Sequence, residues 1–94
     1  MENDRIKNAK RALATLEGDA RARVSVAAKI LSKIHQRELA PELFEKIQTI
    51  VYLSTRFPPL QANNGSILRD SYAETARKSR NSTAVKIAEN IYDL

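Results

Sequence analysis

The chain has 94 residues, 43% of them hydrophobic, which is enough for one domain with its own core. It contains no cysteine, so disulfides, a thiolate nucleophile and zinc–thiolate sites are excluded, and no apolar run approaches the roughly 18 residues of a membrane span. The 16 Lys and Arg residues exceed the 11 acids, giving a net charge of +5, and nine of these cations stand in residues 1–37 against four acids.

The first apolar stripe repeats at spacings of three and four and predicts a helix from about Asn3 to Glu17. A second stripe predicts a helix over about residues 20–36. The alternative is one long helix over residues 3–36, because the two stripes almost join. A hairpin is favoured, because Gly18 and Asp19 provide a helix-ending glycine and a new N-cap. A glycine inside a helix would also cost about 1 kcal/mol.

A third helix is predicted over about 41–56. Pro41 suits the first helical position, and Glu42 places a negative charge in the positive first turn. Apolar residues cover more than half of this helix, so we expect it to be the central, most buried one. Pro58 and Pro59 end it, because the residue before a proline avoids the helical region.

Residues 57–66 interrupt the helical pattern and are predicted to form an ordered crossover loop, laid across the bundle by its proline pair. Ser66 is then a candidate cap for a further helix. Whether residues 66–93 form one bent helix or two is open, and two are favoured because residues 79–83 have low helix propensity. The fold expected for residues 1–94 is therefore a single all-α domain, an irregular antiparallel bundle of four or five short helices.

Basic residues are the candidate binding groups. On the first helix, Lys7 and Arg11 are four residues apart on a polar face. Near the C-terminus, further cations stand among hydroxyl and amide side chains. Such groups bind phosphates or acidic protein surfaces. The candidate anion-binding or partner-binding residues are Lys7, Arg11, Arg77, Lys78 and Arg80.

Catalytic and metal chemistry have weak support. His35 is the single histidine, and the chain has neither a glycine-rich phosphate loop nor a nucleophile elbow. Residues 38–47 resemble the start of the third helix of small all-helical chorismate mutases, a family that binds a dianionic substrate with Arg, Lys, Glu and Gln. The matching end of the helix has no glutamine, and the chain is not assigned to that family. No catalytic residue, cofactor or metal ion is expected.

The leading hypothesis is a small non-catalytic protein–protein interaction or regulatory module, whose leftover apolar surface binds a protein partner or a second copy of the chain. The alternative is a basic, nucleic-acid-associated protein that contacts phosphates without sequence specificity. A small all-helical enzyme is a remote third reading. The first residues lack the apolar region of a signal peptide, so we expect a cytoplasmic protein of bacterial or phage origin.

Overall fold

A computed structural model describes residues 3–94. Within this range the chain forms a bundle of five α-helices with one short two-stranded sheet, which confirms the all-α prediction. The helices are α1 (Asp4–Thr15), α2 (Ala20–Leu31), α3 (Pro41–Ser54), α4 (Ser71–Lys78) and α5 (Asn81–Tyr92). No helix of the described range is long and apolar enough to cross a membrane.

The first two helices form the hairpin that the sequence favoured. Gly18 has a φ of +103°, a conformation that glycine adopts readily, and it reverses the chain between α1 and α2. The Asp19 carboxylate then accepts a hydrogen bond from the backbone N–H of Ala22 at 3.1 Å and caps α2. The second helix is shorter than predicted, because it ends at Leu31. A short 3₁₀ helix, Gln36–Glu38, follows it.

The prediction that the third helix is central was wrong, because α2 holds that position. α2 packs against the four other α-helices, whereas α3 packs against three. Ala27 and Ala28 of α2 are completely buried, and their small side chains let neighbouring helices approach closely. In α3 only Ile47, Ile50 and Ser54 are buried. The wide apolar surface of α3 therefore does not indicate how much of the helix is covered by other elements.

Two polar contacts set the direction of α4 relative to α2. Lys29, near the end of α2, pairs with Asp70 at the start of α4. Arg21, near the start of α2, donates to the backbone carbonyl of Ser79 at the end of α4, at 3.4 Å. The two helices are therefore antiparallel, as expected for the bundle.

The segment predicted as a crossover loop contains one strand of a hairpin. β1 (Leu60–Gln61) pairs with β2 (Ile67–Arg69) in antiparallel fashion, and Gly65 turns the chain between them with a φ of +87°. The prediction that Ser66 starts a helix was wrong. α4 begins at Ser71, because the Asp70 carboxylate accepts a hydrogen bond from the Ala73 N–H at 2.8 Å.

The C-terminal segment forms two helices, as favoured. Ser79 and Arg80 adopt extended backbone conformations that separate α4 from α5. The hydrophobic core comes from the other helices and the turn after α2, and α4 contributes only polar residues, Glu74 and Thr75, to the buried set. α4 is thus joined to the bundle partly through polar contacts.

Candidate functional site

The predicted binding residues occupy two parts of the surface. Lys7 and Arg11 are exposed on α1, which packs against α2 and α5. Arg77 and Lys78 lie in the last turn of α4, and Arg80 is the N-cap residue of α5. Since α4 packs against α2, α3 and β2, the two groups lie on different elements of the bundle.

Glu74 fixes the positions of the two α4 cations. Its side chain is 3% exposed, and its Oε1 atom accepts hydrogen bonds from Arg77 Nε at 3.0 Å and Nη2 at 2.8 Å. Lys78 Nζ lies 3.8 Å from the same oxygen. The hydrogen bonds from Arg77 lower the pKa of Glu74 below its ordinary value, with further contributions from the positive charges of Arg77, Arg69 and Lys78. Glu74 is therefore ionised at neutral pH.

The chain leading into the hairpin is held against this part of α4. The backbone N–H of Phe57 donates to the Thr75 hydroxyl at 3.0 Å. The Lys78 ammonium lies 5.2 Å from the centre of the Phe57 ring, within the range of a cation–π contact. These contacts place Phe57, three residues before β1, against Thr75 and Lys78 of α4.

The end of α4 presents positive charge to the solvent. The side chains of Arg77 and Lys78 are 55% and 43% exposed, whereas the carboxylate of Glu74 lies beneath them. Arg69 of β2 is a third cation close enough to lower the pKa of Glu74. The buried acid therefore orients cations whose own charges still face water.

The hairpin also carries exposed apolar side chains. Ile67 is 53% exposed and Leu68 is 64% exposed, although the two are consecutive residues of one strand. The register with β1 passes from Arg69 to Ile67, so Leu68 lies at a β-bulge without a partner on β1, and both apolar side chains remain largely in water. We call Ile67, Leu68, Arg69, Arg77 and Lys78 the hairpin surface.

A second apolar region lies between the end of α2 and α3. It is an open groove of about 290 Å³. Tyr52, on its rim, is 68% exposed, and the floor is largely core. The groove is lined by Leu31, Ser32, Ile34, Phe44, Ile47, Gln48, Val51 and Tyr52.

Two arginines that the sequence did not single out have structural partners. Arg21 contacts Asp19 Oδ2 through Nε at 3.0 Å and Nη2 at 2.9 Å, besides its contact with Ser79. Arg23 Nη1 donates to the carbonyl of Leu13 at 3.2 Å. Both arginines donate hydrogen bonds to backbone carbonyl groups near helix ends. Local sequence spacing does not indicate these contacts, because the partners lie on different helices.

The hairpin residues of the site, by contrast, had a local sequence signal. Asn64 and Gly65 form an Asn–Gly pair, which is a strong signal of a strand–turn–strand unit, and it precedes the β-branched residue Ile67. Interpreting Ser66 as a helix cap hid this signal.

No group of three or more His, Asp or Glu residues within residues 3–94 is placed to hold a metal ion. A small cavity of about 20 Å³ lies among α2, α3, α4 and α5, which is room for about one water molecule. No family model matches the chain, and no curated protein or solved structure is significantly similar to it.

Proposed function

We propose that this protein is a small, non-catalytic interaction module of the cytoplasm, which binds a protein partner through the hairpin surface. The observation that supports this proposal is the exposure of Ile67 and Leu68, at 53% and 64%, on a strand of a two-stranded sheet. A two-stranded hairpin is only marginally stable by itself, so further packing would stabilise it.

The energetic argument rests on apolar area. Fully burying an Ile or Leu side chain is worth about 1.5–3 kcal/mol relative to exposure. Ile67 and Leu68 gain only part of this within the chain, because about half or more of each remains in water. A partner that covers both residues gains the remainder, and the nearby cations add selectivity for its charge.

Selection from a displayed peptide library tests the proposal. Peptides are selected on the wild-type protein and then measured on the double variant Ile67→Ser, Leu68→Ser. We expect most selected peptides to lose binding at least about tenfold, because the variant lacks the central apolar contacts. The matched control is Tyr52→Ser, which removes an even more exposed apolar side chain from the α2–α3 groove.

Circular dichroism and thermal unfolding must first show that both variants fold. The proposal fails if the selected peptides bind the double variant as tightly as the wild type. Loss of binding in Tyr52→Ser alone would assign the interaction to the groove instead.

Association with nucleic acid is the second candidate function. The observation that favours it is the position of Arg80 at the start of α5, where no side chain caps the helix. Arg77 and Lys78 stand in the preceding turn, and the chain carries a net charge of +5. Phosphate groups are attracted by this arrangement of charge.

Fluorescence anisotropy with a labelled DNA duplex tests this second function. If phosphates are the target, binding weakens steeply between about 50 and 200 mM salt, and Arg80→Ala weakens it similarly for all sequences. Lys86→Ala, on the exposed side of α5, is the control. Absence of binding at about 50 mM salt would exclude the proposal.

A further inference from the structure

We propose that the partner contributes an acidic, extended segment that adds to the free edge of β2 as a third strand. This inference rests on the proposed function and specifies the partner's conformation and charge. Strand addition uses backbone hydrogen bonds for affinity and alternate side chains for selectivity. The hairpin surface offers both a strand edge and side chains of suitable chemistry.

The strand edge that fits this role belongs to β2. The sheet has two strands, so each has one edge without a strand neighbour in the described part of the chain. β1 has two residues and follows Pro58 and Pro59, which lack the N–H groups that a neighbouring strand would need. β2 has three residues and contains no proline, and a bulge at Leu68 interrupts its pairing with β1. A partner strand therefore pairs with β2 more readily than with β1.

The charge around β2 selects an acidic partner. Arg69 lies on the strand itself, and β2 packs against α4. On α4, Arg77 Nη2 and Lys78 Nζ lie 2.8 Å and 3.8 Å from Glu74 Oε1. The Glu74 side chain is only 3% exposed, so it does not present a negative charge to an arriving chain. Complementary charge would raise the association rate and disfavour basic segments.

The same charges argue against a second copy of this chain as the occupant. Pairing two β2 strands would bring two sets of Arg69, Arg77 and Lys78 together, on molecules that each carry a net charge of +5. Like charges across a strand pair are destabilising. An acidic segment from another protein meets no such repulsion.

Three synthetic hexapeptides test the inference by nuclear magnetic resonance on the full chain. The first alternates glutamate and valine, the second has lysine in place of glutamate, and the third is the first peptide N-methylated at every residue. We expect the acidic peptide to shift the amide resonances of residues 67–69 and to slow their hydrogen exchange. The lysine and N-methylated peptides should bind at least about tenfold more weakly.

Charge variants of the protein give an independent readout. Arg69→Gln combined with Lys78→Gln should weaken binding of the acidic peptide, whereas Lys86→Gln on α5 should not. Equal binding of the acidic and lysine peptides would overturn the charge argument. Equal binding of the N-methylated peptide would overturn strand addition, and so would the absence of shifts at residues 67–69 at millimolar peptide.

The failure of this inference is distinguishable from failure of the proposed function. Some library peptides could need Ile67 and Leu68 for binding and yet carry no acidic residues or tolerate N-methylation. That result would support the proposed function and contradict the addition of an acidic strand. Concentration-dependent shifts of residues 67–69 without any peptide would identify a second copy as the occupant, and the proposal would be wrong.

Discussion

Glu74 contacts two of the cations of the hairpin surface, Arg77 and Lys78. Its carboxylate is buried, yet it is held by Arg77 and approached by Lys78, so its charge is compensated. Oε2, the other carboxylate oxygen, has no hydrogen-bond partner in residues 3–94. A buried charge is tolerated when paired and becomes costly when the pairing is lost. Glu74 therefore links the stability of α4 to the arrangement of the cations around it.

Substituting Glu74 tests this residue-scale interpretation. We expect Glu74→Gln to unfold at a lower urea concentration than the wild type, because an amide replaces the charge-assisted hydrogen bonds from Arg77. Glu89→Gln on the exposed side of α5 is the control and should leave the midpoint almost unchanged. Equal midpoints for Glu74→Gln and the wild type would show that the paired charge gives no net stabilisation.

Acid sensitivity follows from carboxylates whose pKa is lowered in the fold. Hydrogen bonds lower the pKa of Asp70 and Glu74 below their ordinary values of 3.8 and 4.5. The largest contributions come from Lys29 for Asp70 and from Arg77 for Glu74. Because the folded-state pKa is the lower one, the stabilisation is complete above the ordinary values and is lost as pH falls through the folded-state pKa.

We therefore expect the urea midpoint to decrease as pH is lowered from about 5 to about 2. The double variant Asp70→Asn, Glu74→Gln should show a smaller decrease over the same range. An unchanged slope in that variant would assign the acid sensitivity to other carboxylates.

At the scale of elements, short turns determine where each helix begins and ends. Gly18 and Gly65 both have positive φ, but their surroundings differ. A Cβ at Gly18 would lie 3.2 Å from the Cβ of Ala22, whereas a Cβ at Gly65 would meet no atom within 4 Å. Gly18 therefore combines a backbone requirement with a close approach to α2.

Alanine substitutions separate these two requirements. We expect Gly18→Ala to reduce the free energy of unfolding by about 1–3 kcal/mol, from backbone strain and crowding together. Gly65→Ala should cost less, because only the backbone is strained. Urea denaturation provides the measurement, and a larger loss in Gly65→Ala would contradict this account of the α1–α2 turn.

The start of α4 depends on the cap at Asp70. We expect Asp70→Ala to cost about 0.5–2 kcal/mol of stability, because the hydrogen bond to the Ala73 N–H is lost. Asp70→Asn keeps a capping oxygen and loses only the exposed ion pair with Lys29, so it should cost less than about 1 kcal/mol. If the two variants were equally destabilised, the ion pair would be the larger contribution.

At the scale of the whole molecule, the bundle depends on the small residues of α2. Ala27 is completely buried in α2, the helix that packs against the four other α-helices. We expect Ala27→Leu to destabilise the fold by about 1–3 kcal/mol through overpacking. Ala14→Leu, on the exposed side of α1, should change stability by less than about 0.5 kcal/mol. Similar unfolding midpoints for both variants would show that α2 is not tightly enclosed.

Much of the fold could be predicted because its signals are local. The spacing of Ile6, Ala9 and Leu13 indicated α1, and Pro41 marked the first residue of α3. Gly18 and Asp19 predicted the α1–α2 turn, and the low propensity of residues 79–83 separated α4 from α5. Where two local signals competed, as at Ser66, the cap interpretation displaced the correct hairpin.

The candidate site was predictable only in part. Arg77 and Lys78 stood out by charge, but nothing in their spacing indicated that Phe57 lies against Lys78. The exposure of Ile67 and Leu68 was also hidden, because an apolar residue in a sequence does not reveal whether other elements cover it.

By itself, the sequence determined the helical class, most helix boundaries, the charge and the absence of cysteine chemistry, because these depend on composition and on contacts within a few residues. Only the tertiary structure decided that α2 is central, that Glu74 is buried among cations and that Ile67 and Leu68 remain exposed. These properties depend on which surfaces the folded chain brings together. Burial is a relation between distant residues, and local spacing does not record it.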